Sequence, residues 1–192
     1  MLQLIGNRVM LREHAMDDLE MVHQWLSDSE ALKYLSWSPS KSKEETFIQL
    51  ASYIREQFKE DRQSYDWALI LKETGLLIGK VDLRWTSRKY GGGEGSLGYF
   101  LHRSHWGKGY AAEGVKLAID FGFLHLGMHR ITASCISENI ASERVMQKCG
   151  MIKEAEFRKS SMRFGRWTNR ISYAILREEW ELHVQDKEHS NT

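Results

Sequence analysis

The stretch Ser104–Glu113, SHWGKGYAAE, decides the fold of this chain. A strand-like apolar run precedes it, and a helical pattern begins directly after its second glycine. The N–H groups in the first turn of a helix have no partners within the helix, and they point toward one place. Gly107 and Gly109 have no Cβ, so an anion can approach their backbone closely. The stretch therefore predicts an anion site of the kind that holds a pyrophosphate.

Two glycines in a turn are weak evidence by themselves, and an ordinary strand-to-helix turn is the simplest alternative. No GxxxxGK[ST] motif is present. A dinucleotide-binding GxGxxG motif would need glycine at position 112, which is alanine, together with a parallel βαβ unit. The strands that precede the turn are predicted to be antiparallel, which disfavours that interpretation. Lys108, between the glycines, could add positive charge at the rim of the site.

Composition places the chain among ordinary globular domains. We expect one domain over residues 1–184 and a polar, disordered tail over 185–192. Hydrophobic residues make up 42% of the chain, which is enough for a substantial core. The 27 basic side chains barely exceed the 26 acidic ones, which argues against a nucleic-acid binder.

Cysteine usage and hydropathy suggest a compartment. Cys135 and Cys149 are too few for a disulfide framework and indicate a reducing environment. The first residues lack the apolar core of a signal peptide, and no apolar run is long enough to cross a membrane. We therefore expect a cytoplasmic protein without membrane partners.

Periodicity predicts a mixed α/β order along the chain. The strands fall near 8–13, 66–72, 76–85, 94–102, 130–136, 152–158 and 167–177. The helices fall near 17–27, 42–58, 110–127 and 141–149. This order predicts one central, mostly antiparallel sheet of six to seven strands, flanked by about four helices.

Local signals support two of these helices. Ser42 and Glu45 fit a capping box at the start of the second helix. Helical spacing then predicts a core-facing stripe of Phe47, Leu50, Ala51, Ile54 and Phe58. Gly150 stands where a left-handed residue ends the fourth helix.

A second informative segment is 139–151, NIASERVMQKCGM. Asn139 follows a strand and begins a helix, where it fits an N-cap. Its side chain could also contact a ligand that lies beside the strand. Ser142, which is one turn into the helix, could donate a hydrogen bond to a sulfur atom. Both functional roles stay open beside the simple capping role.

Three stretches together resemble the GNAT acetyltransferases. They are GSLGYFLHRSHWGKGYAAEG at 95–114, HRITASCISENIASERVMQKCGM at 129–151 and RWTNRISYAILREEW at 166–180. More closely, they resemble the RimJ/RimL branch, which acetylates the N-termini of ribosomal proteins. The resemblance runs from Arg8 to Trp180, and its two main motifs lie about 30 residues apart with the expected elements between them.

The resemblance implies a sheet whose central strands splay apart. The pantetheine arm of acetyl-CoA would enter the gap and pair with backbone near Leu101 and His102, and Asn139 would contact the pantetheine region. Ser142 would lie near the thioester sulfur and could return a proton to the departing thiolate. The full set implied to contact CoA is Leu101, His102, His105, Trp106, Gly107, Lys108, Gly109, Tyr110, Asn139 and Ser142.

The implied reaction is direct attack of a neutral amine on the acetyl thioester, without a metal and without a covalent enzyme intermediate. Backbone N–H groups on the splayed strand could stabilise the developing oxyanion. An α-amine, with a pKa of about 7.7–8.0, is roughly one-tenth neutral at pH 7, and a lysine amine is only about 0.04% neutral. A site without a strong base therefore favours an α-amine or a similarly acidic amine, which agrees with the protein N-terminus that the branch resemblance implies. A small amine or an antibiotic is the alternative acceptor.

The catalytic base is the least certain part of the resemblance. Where relatives often read Ala-Glu-Ile-Gly-Tyr, this chain has Ser96 in place of the glutamate. Glu94 lies two residues earlier on the same strand face and is a candidate base, although it also fits a solvated loop. His105 is a second candidate. The missing glutamate leaves open a non-catalytic sensor that binds acyl-CoA.

Two regions are candidates for contact with the acceptor or a partner. Trp37, within 34–39, would border the acceptor site in a GNAT protein. The basic stretch 158–170 fits either a solvated hairpin or a surface for an acidic or ribosome-associated partner.

The remaining reactive side chains predict no further chemistry. Cys135 has no activating base nearby in sequence and fits a buried structural role. His125 and His129 lack a third metal ligand, so we expect no metal site. Strand edges permit either a monomer or a homodimer.

Overall fold

The computed structural model describes residues 2–35, 39–88, 92–163 and 165–190. Its strands are β1 (Gln3–Ile5), β2 (Val9–Glu13), β3 (Ser64–Leu71), β4 (Leu76–Ser87), β5 (Glu94–Leu101), β6 (Arg130–Ile136), β7 (Ile152–Arg163) and β8 (Arg166–Leu176). Its α-helices are α1 (Leu19–Leu26), α2 (Lys43–Gln57), α3 (Tyr110–Leu124), α4 (Ile140–Lys148) and α5 (Arg177–Ser190). Short 3₁₀ turns lie at Met16–Asp18 and Arg103–His105.

All eight strands form one sheet in the order β1-β2-β3-β4-β5-β6-β8-β7. Neighbouring strands are antiparallel except β5 and β6, which are parallel. The parallel pair needs a crossover connection, and α3 supplies it. The predicted mixed α/β fold with a mostly antiparallel sheet is confirmed.

The pair β5 and β6 separates before either strand ends. Their pairing stops at Leu97 and Ala133. Beyond that point β5 continues through 98–101 and β6 through 134–136. The centre of the sheet therefore opens into a wedge, as the family resemblance implied.

Helices cover both faces of the sheet. On one face α3 packs Val115 and Ile119 into a core with Leu97 and Leu101 of β5. On the other face α1 and α2 build a second core that includes Phe100. The wedge lies between these two cores, so it is enclosed by helices on both sides. Within the described residues, no helix combines the length and apolar character that crossing a bilayer requires.

The structure has one strand and one α-helix more than the pattern predicts. The strand β1 has only 3 residues, which is too short for an alternating pattern to register. The helix α5 runs through residues 185–190, where composition predicts a disordered tail. Its sequence REEWELHVQDKEHS has no regular apolar stripe, so periodicity does not reveal it.

The start of α2 shows the predicted cap. Ser42 Oγ accepts a hydrogen bond from the Glu45 N–H at 3.4 Å. The Glu45 carboxylate turns back to the N–H of Lys41 at 2.7 Å, one residue earlier than a standard capping box.

The predicted apolar stripe of α2 is wrong at both ends. Leu50 is fully buried, but Phe47 and Phe58 are 47% and 81% exposed. The buried face of the helix is centred on Thr46 and Leu50. The error has a physical cause. The helix turns the face of Thr46 and Leu50 to the core, which leaves Phe47 at the edge of that face, and Phe58 follows the last helical residue, Gln57.

The core of α3 gives a test of the packing. Ile119 is 1% exposed. The substitution Ile119→Ala should lower the free energy of unfolding by about 2–5 kcal/mol, because the cavity left behind is not refilled. Leu124→Ala on the same helix removes a side chain that is 63% exposed, and it should change the free energy of unfolding by less than about 0.5 kcal/mol. Urea unfolding measures both. Equal losses would contradict the orientation of α3.

Candidate active site

A cavity of about 730 Å³ occupies the wedge between β5 and β6. Residues 98–101 and 134–136, which no longer pair with each other but keep their partners in β4 and β8, line it. Gly107 and Gly109 line it on the α3 side, and Asp82 lines it from β4. Its volume is typical of sites that hold a small molecule or cofactor.

The loop before α3 has the geometry of an anion site. Gly107 and Gly109 have φ angles of 76° and 83°, in the left-handed region that favours glycine. A Cβ built at Gly107 would have no atom within 4 Å, so the space beside its backbone is open. The first helical residues, Ala111 and Ala112, also line the cavity. The free N–H groups of this first turn therefore face the space where an anion would bind.

Arg8 and Glu113 fix this loop to β2. The Glu113 carboxylate accepts hydrogen bonds from the Arg8 N–H at 2.6 Å and the Val9 N–H at 3.2 Å. It also pairs with Arg8 Nε at 2.9 Å, and Arg8 Nη1 donates to the Lys108 carbonyl at 3.0 Å. Burial pulls the pKa of Glu113 upward, but these hydrogen bonds outweigh it and hold the pKa below its usual value. Glu113 is therefore an anion that anchors the loop.

A hydroxyl pair lies at the start of α4. Asn139 Oδ1 accepts the Ser142 N–H at 3.1 Å, as an N-cap does. Ser142 Oγ lies 2.8 Å from the Tyr99 hydroxyl, which is also 2.8 Å from the Ser142 carbonyl. Burial raises the pKa of Tyr99, so its hydroxyl keeps its proton. The three side chains place two linked proton donors on the cavity wall.

Residues 8–152 match the model of the acetyltransferase (GNAT) domain. The chain belongs to the GNAT acetyltransferase family. Over 179 residues it is 28% identical to the uncharacterized N-acetyltransferase YnaD of Bacillus subtilis, covering 93% of this chain and 99% of that protein. It is 30% identical to the uncharacterized N-acetyltransferase p20 of Bacillus licheniformis over 179 residues, covering 92% and 97%. Membership makes the chain an acyl-CoA-dependent N-acetyltransferase.

Solved GNAT structures superpose over nearly the whole chain. An acetyltransferase (GNAT family) from Bacillus anthracis is 27% identical with a TM-score of 0.78, covering 92% of this chain and 99% of that one. A spermidine N-acetyltransferase from Vibrio cholerae in complex with CoA and spermine is 21% identical with a TM-score of 0.77, covering 90% of this chain and 98% of that one. RimL, a ribosomal L7/L12 α-N-protein acetyltransferase in complex with CoA, is 17% identical with a TM-score of 0.79, covering 91% of this chain and 98% of that one. At these lower identities the last two show the fold alone.

The GNAT cavity gathers most of the residues that the sequence suggested for CoA. Those that line it are Leu101, Trp106, Gly107, Gly109, Asn139 and Ser142. Those that lie outside its lining are His102, His105, Lys108 and Tyr110. The candidate acceptor residue Trp37 falls outside the described residues, but Tyr34 and Leu35 just before it line the cavity.

The backbone groups of His102, at the end of β5, already have partners within the chain. The His102 N–H donates to the Ile78 carbonyl at 2.9 Å, and the His102 carbonyl accepts the His105 N–H at 2.9 Å. Because backbone groups alternate sides along a strand, Tyr99 and Leu101 direct theirs toward the wedge. Trp106 Nε1 donates to the Leu101 carbonyl at 2.6 Å on that side. The exposed backbone edge thus comprises Tyr99 and Leu101, and His102 has no part in it.

The two candidate bases lie away from the cavity lining. Glu94 has a 41% exposed side chain, 3.9 Å from Arg130 Nε. Burial, and then the nearby Lys108 and His102, lower the pKa of His105. His105 is therefore neutral at pH 7 and adds no positive charge to the loop.

Cys135 lines the cavity beside the hydroxyl pair. Burial raises the pKa of its thiol to about 11, so the thiol is protonated at neutral pH and is a poor nucleophile. Within the described ranges, no three His, Cys, Asp or Glu side chains come together as a metal site would require.

Several charged residues in the cavity escape sequence reasoning. Arg144 and Lys148 of α4 line it together with Arg163 and Arg170 of the β7–β8 hairpin. The hairpin cations belong to the basic stretch that the sequence singles out, whereas the α4 cations and Asp82 carry no sequence signal. Tyr99 follows the glycine of the strand motif, but only the tertiary contact with Ser142 reveals its partner.

Removing the Glu113 charge should weaken the fold in a pH-dependent way. Glu113→Gln is expected to lower the free energy of unfolding by about 1–3 kcal/mol at pH 7, as for other hydrogen bonds to a charged group. The folded pKa is depressed, so the stabilisation is complete above the unfolded pKa of about 4.3 and is lost as pH falls through the folded value. Urea unfolding of both proteins at several pH values measures this. A difference that stays constant in acid would contradict the role of the charge.

Proposed function

We propose that this chain transfers an acetyl group from acetyl-CoA to the α-amine of a protein N-terminus. One observation carries the proposal: a single cavity reaches the Gly107–Gly109 loop on the α3 side and Asp82 and Arg170 on the other side. A donor held at the loop and an acceptor entering from the opposite side would meet in the wedge between β5 and β6. The likeness to the RimJ/RimL branch supports the same acceptor class. Cys135 and Cys149 form no disulfide, which fits a reducing, cytoplasmic setting.

The α3 side of the cavity suits CoA. Its first-turn N–H groups suit the pyrophosphate, since a helix start favours an anion without a cage of cations. Arg144 and Lys148 add positive charge along the same wall. The backbone edge at Tyr99 and Leu101 suits the amides of the pantetheine arm.

The hydroxyl pair suits the departing sulfur. Bound acetyl-CoA supplies an acetyl thioester, and its thiolate needs a proton when the amine displaces it. Ser142 Oγ is the donor in this proposal. The Tyr99 hydroxyl donates to the Ser142 carbonyl at 2.8 Å and lies 2.8 Å from Ser142 Oγ, where it can replace the proton that Ser142 gives up. Because burial raises the pKa of Tyr99, this donor stays protonated across the physiological range.

The charges in the cavity favour a singly charged acceptor. Among the described lining residues, Arg144 and Lys148 lie on the donor wall, and the remaining charged side chains are the cations Arg163 and Arg170 and one carboxylate, Asp82. A polyamine brings several positive charges, and each would meet this excess of cations. An N-terminal α-amine brings one charge at most, and roughly a tenth of it is already neutral at pH 7.

An acceptor panel tests the proposal. The panel holds a lysine-free peptide with a free N-terminus, the same peptide blocked at its N-terminus and carrying one lysine, and spermidine. Thiol release from acetyl-CoA gives the rate, and mass spectrometry locates the acetyl group. We expect kcat/KM for the free N-terminus to exceed the other two by at least about tenfold, in line with its larger neutral fraction. A preference for spermidine would indicate a small-amine enzyme, and CoA binding without turnover on any amine would indicate a sensor.

Two hydroxyl deletions test proton return to the sulfur. Ser142→Ala should lower kcat by about 10²-fold, the lower range for loss of a general acid, with little change in KM for acetyl-CoA. Tyr99→Phe should lower kcat by about tenfold, because it removes only the donor behind Ser142. Steady-state kinetics measures both. A raised KM with kcat unchanged would assign Ser142 to binding alone.

A further inference from the structure

Asp82 is a buried carboxylate in the acceptor side of the cavity. It lies on β4 and is only 8% exposed. Among the described residues that line the cavity, it is the one acidic side chain. It lies directly opposite Gly98, the first residue of β5 beyond the last pair with β6. The carboxylate therefore stands where the wedge begins.

Gly98 provides the room for this carboxylate. A Cβ at Gly98 would lie 2.8 Å from Asp82 Oδ2 and 2.9 Å from Oδ1, closer than non-bonded contact allows. Residues directly opposite in an antiparallel pair share a face, so Asp82 and Gly98 lie on the same face as Ser96. That face is opposite to the one from which Tyr99 reaches Ser142. The thiolate proton donor and the Asp82 carboxylate thus flank the wedge from its two sides.

Neighbouring charges hold Asp82 in place. Lys80 Nζ lies 3.2 Å from Asp82 Oδ1 and 3.0 Å from Asp66 Oδ1, and the Tyr53 ring lies 4.3 Å from the same nitrogen. Burial pulls the pKa of Lys80 down, but the two carboxylates outweigh it and raise the pKa, so Lys80 is a cation. Burial lowers the pKa of the adjacent His14, which is therefore neutral.

The cluster of Lys80, Asp66 and Asp82 carries a net negative charge that a cationic ligand could balance. One lysine cation and two carboxylates leave one negative charge in excess, and of the two carboxylates only Asp82 lines the cavity. An ammonium ion beside Asp82 would balance that charge. A buried charge is costly without a partner, so the site favours an amine cation over a neutral group.

We propose that Asp82 binds the acceptor amine beside Gly98 and takes its proton during acetyl transfer. This inference rests on the proposed function. The nitrogen lone pair forms the bond to the acetyl carbon, and the C–S bond breaks with its electron pair going to sulfur. Asp82 first takes one proton from the bound ammonium ion, which frees that lone pair. The second N–H proton leaves the nitrogen as the amide forms and replaces the proton that Ser142 gives to the sulfur. Glu94 is a weaker base candidate because its side chain is 41% exposed and lies outside the cavity lining.

Asp82→Asn is the direct test. With the free-N-terminus peptide at pH 7, kcat/KM for the peptide should fall by at least about 10²-fold, as for loss of a general base. KM for acetyl-CoA should stay within about twofold, because the donor side is untouched. The difference in kcat/KM between Asp82→Asn and the wild type should become smaller as pH rises past the α-amine pKa of about 7.7–8.0, because the acceptor amine is then already neutral and no longer needs a base. A merely structural role would not produce this recovery.

Two further variants control for damage to the buried cluster. Gly98→Ala keeps all three charges but displaces the Asp82 carboxylate, and it should lower kcat/KM in the same direction. Asp18→Asn removes a different buried carboxylate, which pairs with Arg12 at 2.6 Å and lies outside the cavity lining. It should reduce thermal stability at least as much as Asp82→Asn does, with kcat/KM kept within about fivefold.

The outcomes separate the inference from the proposed function. Normal rates in both Asp82→Asn and Gly98→Ala would overturn the inference and leave the proposed function standing. Loss of activity in Glu94→Gln with normal Asp82→Asn rates would overturn it in favour of Glu94. If the wild type binds CoA but acetylates no amine, the proposed function fails and the inference fails with it. If Asp82→Asn does not fold, Gly98→Ala decides.

Discussion

The separation of β5 from β6 after Leu97 and Ala133 is the constraint on which the site depends. Backbone N–H and C=O groups inside a protein need partners, and a sheet normally supplies them from the next strand. Here β5 and β6 do not pair with each other over 98–101 and 134–136, in the middle of the sheet, although each keeps its other neighbour, β4 or β8. The backbone edge left at Tyr99 and Leu101 therefore faces the cavity instead of a neighbouring strand, and Trp106 Nε1 donates to its Leu101 carbonyl. The wedge also connects the two faces of the sheet, which elsewhere are sealed from each other by packed side chains.

The two faces of the wedge differ in chemistry. On the α3 side stand the helix N-terminus and the hydroxyls of Tyr99 and Ser142, which suit an anion and a leaving sulfur. On the other side stands Asp82, held by Lys80 among buried neighbours. A sheet is well suited to this division because successive residues of one strand point to opposite faces. Adjacent residues of β5, Gly98 and Tyr99, thus face opposite sides of the wedge.

Sequence reasoning succeeded where the signal was local. The glycine loop before α3, the caps at Ser42 and Asn139, and the order of most strands follow from residue type and period, and the structure has each of them. It failed where contact depends on distant elements. The exposure of Phe47 and Phe58 depends on which face of α2 meets the core and on where the helix ends. The backbone groups of His102 are unavailable because Ile78 and His105 use them.

By itself, the sequence determined the class of the protein: a mixed sheet, a helix that begins at a glycine loop, and a motif set typical of GNAT acetyltransferases. These properties come from near neighbours along the chain, where period and backbone freedom act directly. Only the tertiary structure decided which polar groups meet. Tyr99 reaches Ser142 across 43 residues, and Asp82 meets the cavity because Gly98 on the neighbouring strand leaves room for it. Such contacts depend on strand register and on the position where β5 and β6 separate, and no short stretch of sequence determines either of them.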